Sequence, residues 1–145
     1  MNLNTTQLES FGPLADLIKD ESIEEIWINS PSRVFIAKAG KSELTNLVLT
    51  KDTVQEIIER LLIWGGRRLD VSNPFVDARL PDGSRLHVVI PEITASHWAI
   101  NIRKHINRGN TLEDLVKIDS ISNEIIELLD QAVISGLNLL VSGGT

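Results

Sequence analysis

Cysteine is absent from the chain, which excludes disulfides, thiolate chemistry and cysteine-based metal sites. Long apolar runs are absent too. None approaches the ~18 residues needed to cross a bilayer, and the polar N-terminus lacks the pattern of a signal peptide. A cytoplasmic location is the expectation, and peripheral attachment to a membrane complex is compatible with it. The histidines, His87, His97 and His105, match no helical metal-pair spacing, so no metal site is expected. No Ser/His/Asp arrangement points to a nucleophilic enzyme. Internal repeats and low-complexity segments are also missing.

What is present is an ordinary globular composition, 42% hydrophobic and 23% charged. The length suits one domain with room for the start of a second. The net charge of −6 argues against non-specific nucleic-acid binding, but its distribution is uneven. Between Arg67 and Arg108 seven bases face four acids, whereas the rest of the chain carries seven bases against sixteen acids. Six of the eight arginines fall in that middle stretch. Such an island suggests an anionic partner, phosphate or carboxylate, because the guanidinium fork matches both. Pairing of the arginines with acids of their own fold explains the island equally well.

The periodicity predicts an α+β module. Residues 1–11 carry no strong pattern, and Pro13 opens a helix over about 13–20. Ile23–Asn29 alternates with period two and is a strand. Arg33–Lys38 and Glu43–Leu49 follow as second and third strands of an antiparallel meander, joined by a tight connection at Ala39-Gly40-Lys41. Thr50 is placed to cap a helix whose stripe is Val54, Ile57, Ile58, Leu61 and Leu62, with Gly65-Gly66 ending it. Phe75–Leu80 and Arg85–Ile90 form a hairpin around the turn Pro81-Asp82-Gly83-Ser84. Pro91–Ser96 is a loop, and His97–Lys104 alternates so that Arg103 points away from the apolar face. Residues 105–110 read as a linker, and Thr111 caps a short helix over Leu112–Val116. A helix then runs from Ser122 to Ser135, with Ile125, Leu128, Leu129, Ala132 and Val133 on one face and Gly136 closing it. A buried strand, Asn138–Val141, is expected directly after. Helix, short turn, buried strand and glycines is the entry to an α/β nucleotide-binding domain.

Two stretches carry chemistry. The first is Ser142-Gly143-Gly144-Thr145, which has the opening of a phosphate loop, G-x-x-x-x-G-K-[ST], but neither its lysine nor its final hydroxyl. Many β-turns share this Gly-Gly pattern. The second comprises Asp77 to Arg85 and Ile102-Arg103-Lys104. Arginines on neighbouring strands could converge on one anion, as arginine fingers do on a γ-phosphate. They could instead form a network with Asp77 and Asp82 that braces the hairpin.

The run Val76-Asp77-Ala78-Arg79-Leu80-Pro81-Asp82-Gly83-Ser84-Arg85-Leu86-His87-Val88-Val89-Ile90-Pro91 resembles the signature of secretion-system traffic ATPases. Ile26-Trp27-Ile28-Asn29, Ile100-Asn101-Ile102-Arg103-Lys104 and Leu140-Val141-Ser142-Gly143-Gly144-Thr145 match the same family in the same order. The closest branch is the Flp/Tad pilus-assembly type of type II/type IV secretion ATPase. The resemblance implies a PAS-like antiparallel sheet of about six strands with flanking helices at 1–108. A linker and the first helix and strand of a RecA-like ATPase domain would follow at 109–145, cut at the start of the Walker A loop. It implies a homo-hexameric ATPase on the cytoplasmic face of the inner membrane, bound to secretion or pilus platform proteins, with ATP and Mg²⁺ in the intact protein. No nucleic acid is expected as a partner. By motif match Arg85 and Arg103, and secondarily Arg79, would approach the terminal phosphates, and Ser142, Gly143, Gly144 and Thr145 would bind nucleotide. The fragment alone, without the Walker lysine, is expected to be inactive and to hold no cofactor. The stretch Pro91-Glu92-Ile93 departs from the family pattern, where a second proline is commoner. A non-enzymatic PAS-like module that senses a ligand or docks a protein is the alternative.

Overall fold

The computed structural model describes residues 3–105 and 111–143. The chain divides into two compact units, Met1–Ile106 and Asn107–Thr145.

The first unit opens with a short helix α1 (Thr5–Glu9), where no pattern was expected. A reciprocal cap explains it. The Asn4 side chain accepts from the Gln7 N–H at 2.9 Å, and the Gln7 side chain accepts from the Asn4 N–H at 2.9 Å, satisfying two donors that a helix start leaves open. A 3₁₀ turn, Gly12–Leu14, and α2 (Ala15–Lys19) follow. Phe11 and Leu14 are fully buried there. Then come β1 (Ile23–Ser30), β2 (Arg33–Lys38) and β3 (Lys41–Leu44). The β2–β3 turn places Ala39 and Gly40 at φ of 47° and 73°, the left-handed pair that a two-residue hairpin needs. The third strand was expected over Glu43–Leu49 and ends earlier. At Thr45 both the N–H and the hydroxyl donate to the Val34 carbonyl at 2.9 Å, and the Leu47 N–H turns back onto the Thr45 hydroxyl at 3.2 Å. That local turn stops the ladder.

Helix α3 (Lys51–Gly65) is capped by Thr50, whose hydroxyl accepts from the Thr53 N–H at 3.1 Å. All five residues of its expected stripe are buried. The hairpin β4 (Phe75–Arg79) and β5 (Arg85–Val89) follows. A one-turn helix α4 (Pro91–Thr94) replaces the expected loop, with Pro91 at the first position, where a missing N–H costs nothing. Strand β6 (Ala99–Arg103) completes the sheet. The sheet is antiparallel with order β3-β2-β1-β6-β5-β4, so this unit is α+β. One face carries Ile26, Ile28, Val34, Ile36, Val76, Leu86, Val88, Ile100 and Ile102. It packs against the α3 stripe and against Phe11, Leu14 and Ile18, giving two layers around one core.

The second unit holds α5 (Leu112–Lys117) and α6 (Asn123–Ile134). Thr111 caps α5 as expected, accepting from the Asp114 N–H at 3.2 Å. The expected apolar face of α6 stays largely exposed. Ala132 is buried, but Ile125, Leu128 and Val133 are not. The expected strand Asn138–Val141 is not formed, and Leu140 and Val141 are each 94% exposed. A strand needs a ladder partner, and this run meets none among the described residues. A continuous apolar run of this kind is stable only when covered on both faces.

The core assignment predicts a sharp contrast along one helix. Leu61 is fully buried and Ile63 is 76% exposed. Leu61→Ala should cost about 2–5 kcal/mol and Ile63→Ala no more than about 0.5 kcal/mol, as read by chemical denaturation.

Candidate functional site: a row of unpaired arginines

Strand register decides which side chains share a row. Arg79 lies opposite Arg85, Arg85 opposite Arg103, and Arg103 opposite Glu25. A row of three arginines therefore crosses β4, β5 and β6 and ends on an acid in β1. The flanking inward residues, Leu86, Ile102 and Ile26, are buried in the core, so alternation puts the arginines on the other face. All three are exposed. Like charges directly opposite one another oppose strand pairing. At ~5.5 Å in water each contact costs roughly 0.8 kcal/mol before screening.

The proposed hairpin brace is not what holds this row. Asp77 accepts from or pairs with the His87 Nδ1 at 2.8 Å. Asp82 accepts from the Ser84 N–H at 3.0 Å and the Ser84 hydroxyl at 2.7 Å. Glu25 accepts from the Asn101 side-chain amide at 2.7 Å. Each acid nearest the row thus has another partner. Among the described residues no side-chain hydrogen bond or ion pair engages Arg79, Arg85 or Arg103.

Two polar clusters fix the ends of the strands that carry the row, and the sequence alone did not single out either. Ser84 is 1% exposed. Its hydroxyl donates to Asp82 and accepts from the His105 N–H at 3.3 Å, which ties the β4–β5 turn to the residue pair beyond β6. In the second cluster, the Lys104 ammonium donates to the Asp20 carbonyl at 2.6 Å, at the C-terminal end of α2, where a cation complements the helix dipole. Burial lowers the Lys104 pKa, while Asp20, Asp82 and Glu21 act in the opposite sense. The Asp20 carboxylate accepts from the Lys38 ammonium at 2.8 Å and from the Ser22 hydroxyl at 2.6 Å. Those bonds hold its pKa far below the usual carboxylate range. An Asx-type pattern, Asp82-Gly83-Ser84, was the available signal for the first cluster. The second joins residues far apart in sequence and left no local trace.

A cavity of about 550 Å³ lies at the β4 edge and is lined by Arg79 and Arg85, with Arg67, Trp64 and Asp77. Arg103 stands in the row but does not line this cavity. The remaining expected site residues belong to the second unit. Ser142 and Gly143 lie in irregular, exposed chain, and Gly144 and Thr145 lie outside the described residues. Among the described residues no group of three acidic or histidine side chains could hold a metal ion, and no helix is long and apolar enough to cross a membrane.

Comparison with known proteins bears on this fold. The family described as "Type II/IV secretion system protein" matches residues 7–145. An uncharacterized protein of Methanocaldococcus jannaschii is 33% identical over 136 residues, covering 88% of this chain and 19% of its own length. The type IV secretion system protein VirB11 of Bartonella henselae is 30% identical over 112 residues, 76% of this chain and 31% of its own. Among solved structures, the VirB11 ATPase of the Brucella suis type IV secretion system, crystallised with sulphate, superposes with a TM-score of 0.71. It is 23% identical and the match covers 90% of this chain and 43% of that one. The chain belongs to the Type II/IV secretion system protein family. It spans between about a fifth and two fifths of the length of these relatives.

The Asp20 cluster gives a pH prediction. A carboxylate whose folded pKa is depressed contributes stability above its unfolded value, about 3.9, and loses it as the pH falls below that. Asp20→Asn should therefore be less stable than the native chain at neutral pH, with the difference shrinking below about pH 4. Urea unfolding across pH 2–7 checks this, and a constant difference down to pH 2 would contradict it.

Proposed function

We propose that the chain is the N-terminal domain and the first part of the ATPase domain of a secretion or pilus-assembly ATPase, and that Arg85 and Arg103 act on the terminal phosphates of ATP. The observation that carries the reading is the unpaired arginine row on an exposed sheet face, in a chain of the Type II/IV secretion system protein family. Guanidinium groups held without partners suit a ligand that brings several anionic oxygens. Similar proteins, named VirB11 ATPase and type IV secretion system protein, support ATP as that ligand.

In this reading the intact protein hydrolyses ATP with Mg²⁺, works as a homo-hexamer at the cytoplasmic face of the inner membrane, and drives a secretion or pilus platform. The Flp/Tad branch is part of the same proposal. Arg85 and Arg103 neutralise charge that develops on the γ-phosphate, which stabilises the transition state more than the bound substrate. Arg79 adds to the field from the edge strand. Ser142, Gly143, Gly144 and Thr145 supply the first backbone N–H groups of the phosphate loop. The metal ligands would come from outside the described residues. The fragment itself is expected to hydrolyse no ATP.

The test is steady-state turnover of the intact protein. Arg85→Ala and Arg103→Ala should each lower ATP turnover by about 10²-fold or more, with unchanged circular dichroism and thermal midpoint. Native turnover in both variants would overturn the reading.

A further inference from the structure

The cavity at the β4 edge contains an arginine that is not in the cross-strand row. Arg67 lines it together with Arg79 and Arg85. We propose that Arg67 is a third guanidinium of a polyphosphate-binding cavity, and that the Gly65-Gly66 end of α3 positions it there. This deepens the proposed function and rests on its reading that phosphates approach this face.

Local backbone geometry places Arg67. Gly66 has φ of +58°, and its N–H donates to the Ile63 carbonyl at 3.3 Å, while the Arg67 N–H donates to the Leu62 carbonyl at 3.4 Å. This paired closure turns the chain sharply off the helix and favours glycine at the left-handed position. Gly65 has a separate role. A Cβ there would lie 3.1 Å from the Ala78 Cβ of β4, so a side chain at 65 requires the helix end and the hairpin to shift by a few tenths of an ångström. Two adjacent glycines thus let α3 end against β4 and deliver the next residue, Arg67, to the cavity that Arg79 and Arg85 line.

The electrostatics favour an anion over water alone. Three arginines and one acid, Asp77, line the cavity, and that acid is engaged by His87. Among the described residues none of the three arginines has an ion pair or side-chain hydrogen bond. Three separate forks suit a chain of linked phosphates better than a single tetrahedral anion, because each fork can take two oxygens. A cavity of about 550 Å³ falls within the range of small-molecule sites. Trp64, in the last turn of α3, lines the same cavity and supplies a built-in reporter.

The experiment is a titration of this chain with inorganic tripolyphosphate at low ionic strength, followed by the NMR signal of the Trp64 indole N–H. Saturable movement of that signal is expected. Arg67→Ala should weaken binding about threefold or more. Arg60→Ala removes the same charge from within α3, but Arg60 is paired with Glu56 at 2.9 Å, and its variant should bind as the native chain does. Gly65→Ala should weaken binding with Arg67 still present. An Arg67→Ala variant that binds no more weakly than Arg60→Ala would overturn the proposal, as would binding that leaves Trp64 unmoved, or no saturable binding. The two readings fail separately. Loss of ATP turnover in the Arg85 and Arg103 variants with no effect at Arg67 removes only this inference. Tripolyphosphate binding that needs Arg67, with turnover independent of Arg85 and Arg103, removes the catalytic reading and leaves the cavity.

Discussion

The antiparallel register of β1, β6, β5 and β4 is the constraint on which the rest depends. Because side chains alternate with a period of two, a slip of one residue would exchange the two faces of a strand. Ile26, Ile102, Leu86 and Val76 must all face α3 for the core to close. That requirement places Glu25, Arg103, Arg85 and Arg79 in line on the opposite face. Hydrophobic burial of well over a dozen side chains outweighs the mutual repulsion of three exposed arginines, which is no more than about 1 kcal/mol per contact. The arginine row is thus held by the core behind it, not by partners of its own.

The helices and polar clusters limit where that row can move. The Ser84 hydroxyl links the β4–β5 turn to His105, and the Lys104 ammonium links the end of β6 to the end of α2. Both lie within two residues of a row arginine in sequence. With these ties the strand ends that present Arg85 and Arg103 are fixed from two sides. Preorganised cations stabilise developing charge without reorganising when it appears. The cavity formed with the end of α3 adds a second direction from which cations approach.

Much of the first unit was legible in the sequence because its periods are clean. The α3 stripe, the Thr50 cap, the β4–β5 hairpin and the outward orientation of Arg103 follow from spacing alone. The misses have local causes. Helix α1 depends on a reciprocal Asn4–Gln7 cap rather than an apolar stripe. Strand β3 is stopped by the Thr45 hydroxyl. Asn138–Val141 has a strand's composition but no ladder partner among the described residues. The site was half legible. The arginines stood out by charge, but whether Asp77 and Asp82 paired with them depended on the competing bonds to His87 and Ser84. The position of Arg67 depended on a helix-ending geometry that Gly65-Gly66 signals only as a stop.

The most direct measurement is an experimental structure of the intact protein with a non-hydrolysable ATP analogue and Mg²⁺. The expected result places guanidinium nitrogens of Arg85 and Arg103 about 2.7–2.9 Å from γ-phosphate oxygens, with the cross-strand register unchanged. Nucleotide bound while both guanidinium groups point to solvent, or pair with acids of their own sheet, would contradict the central claim.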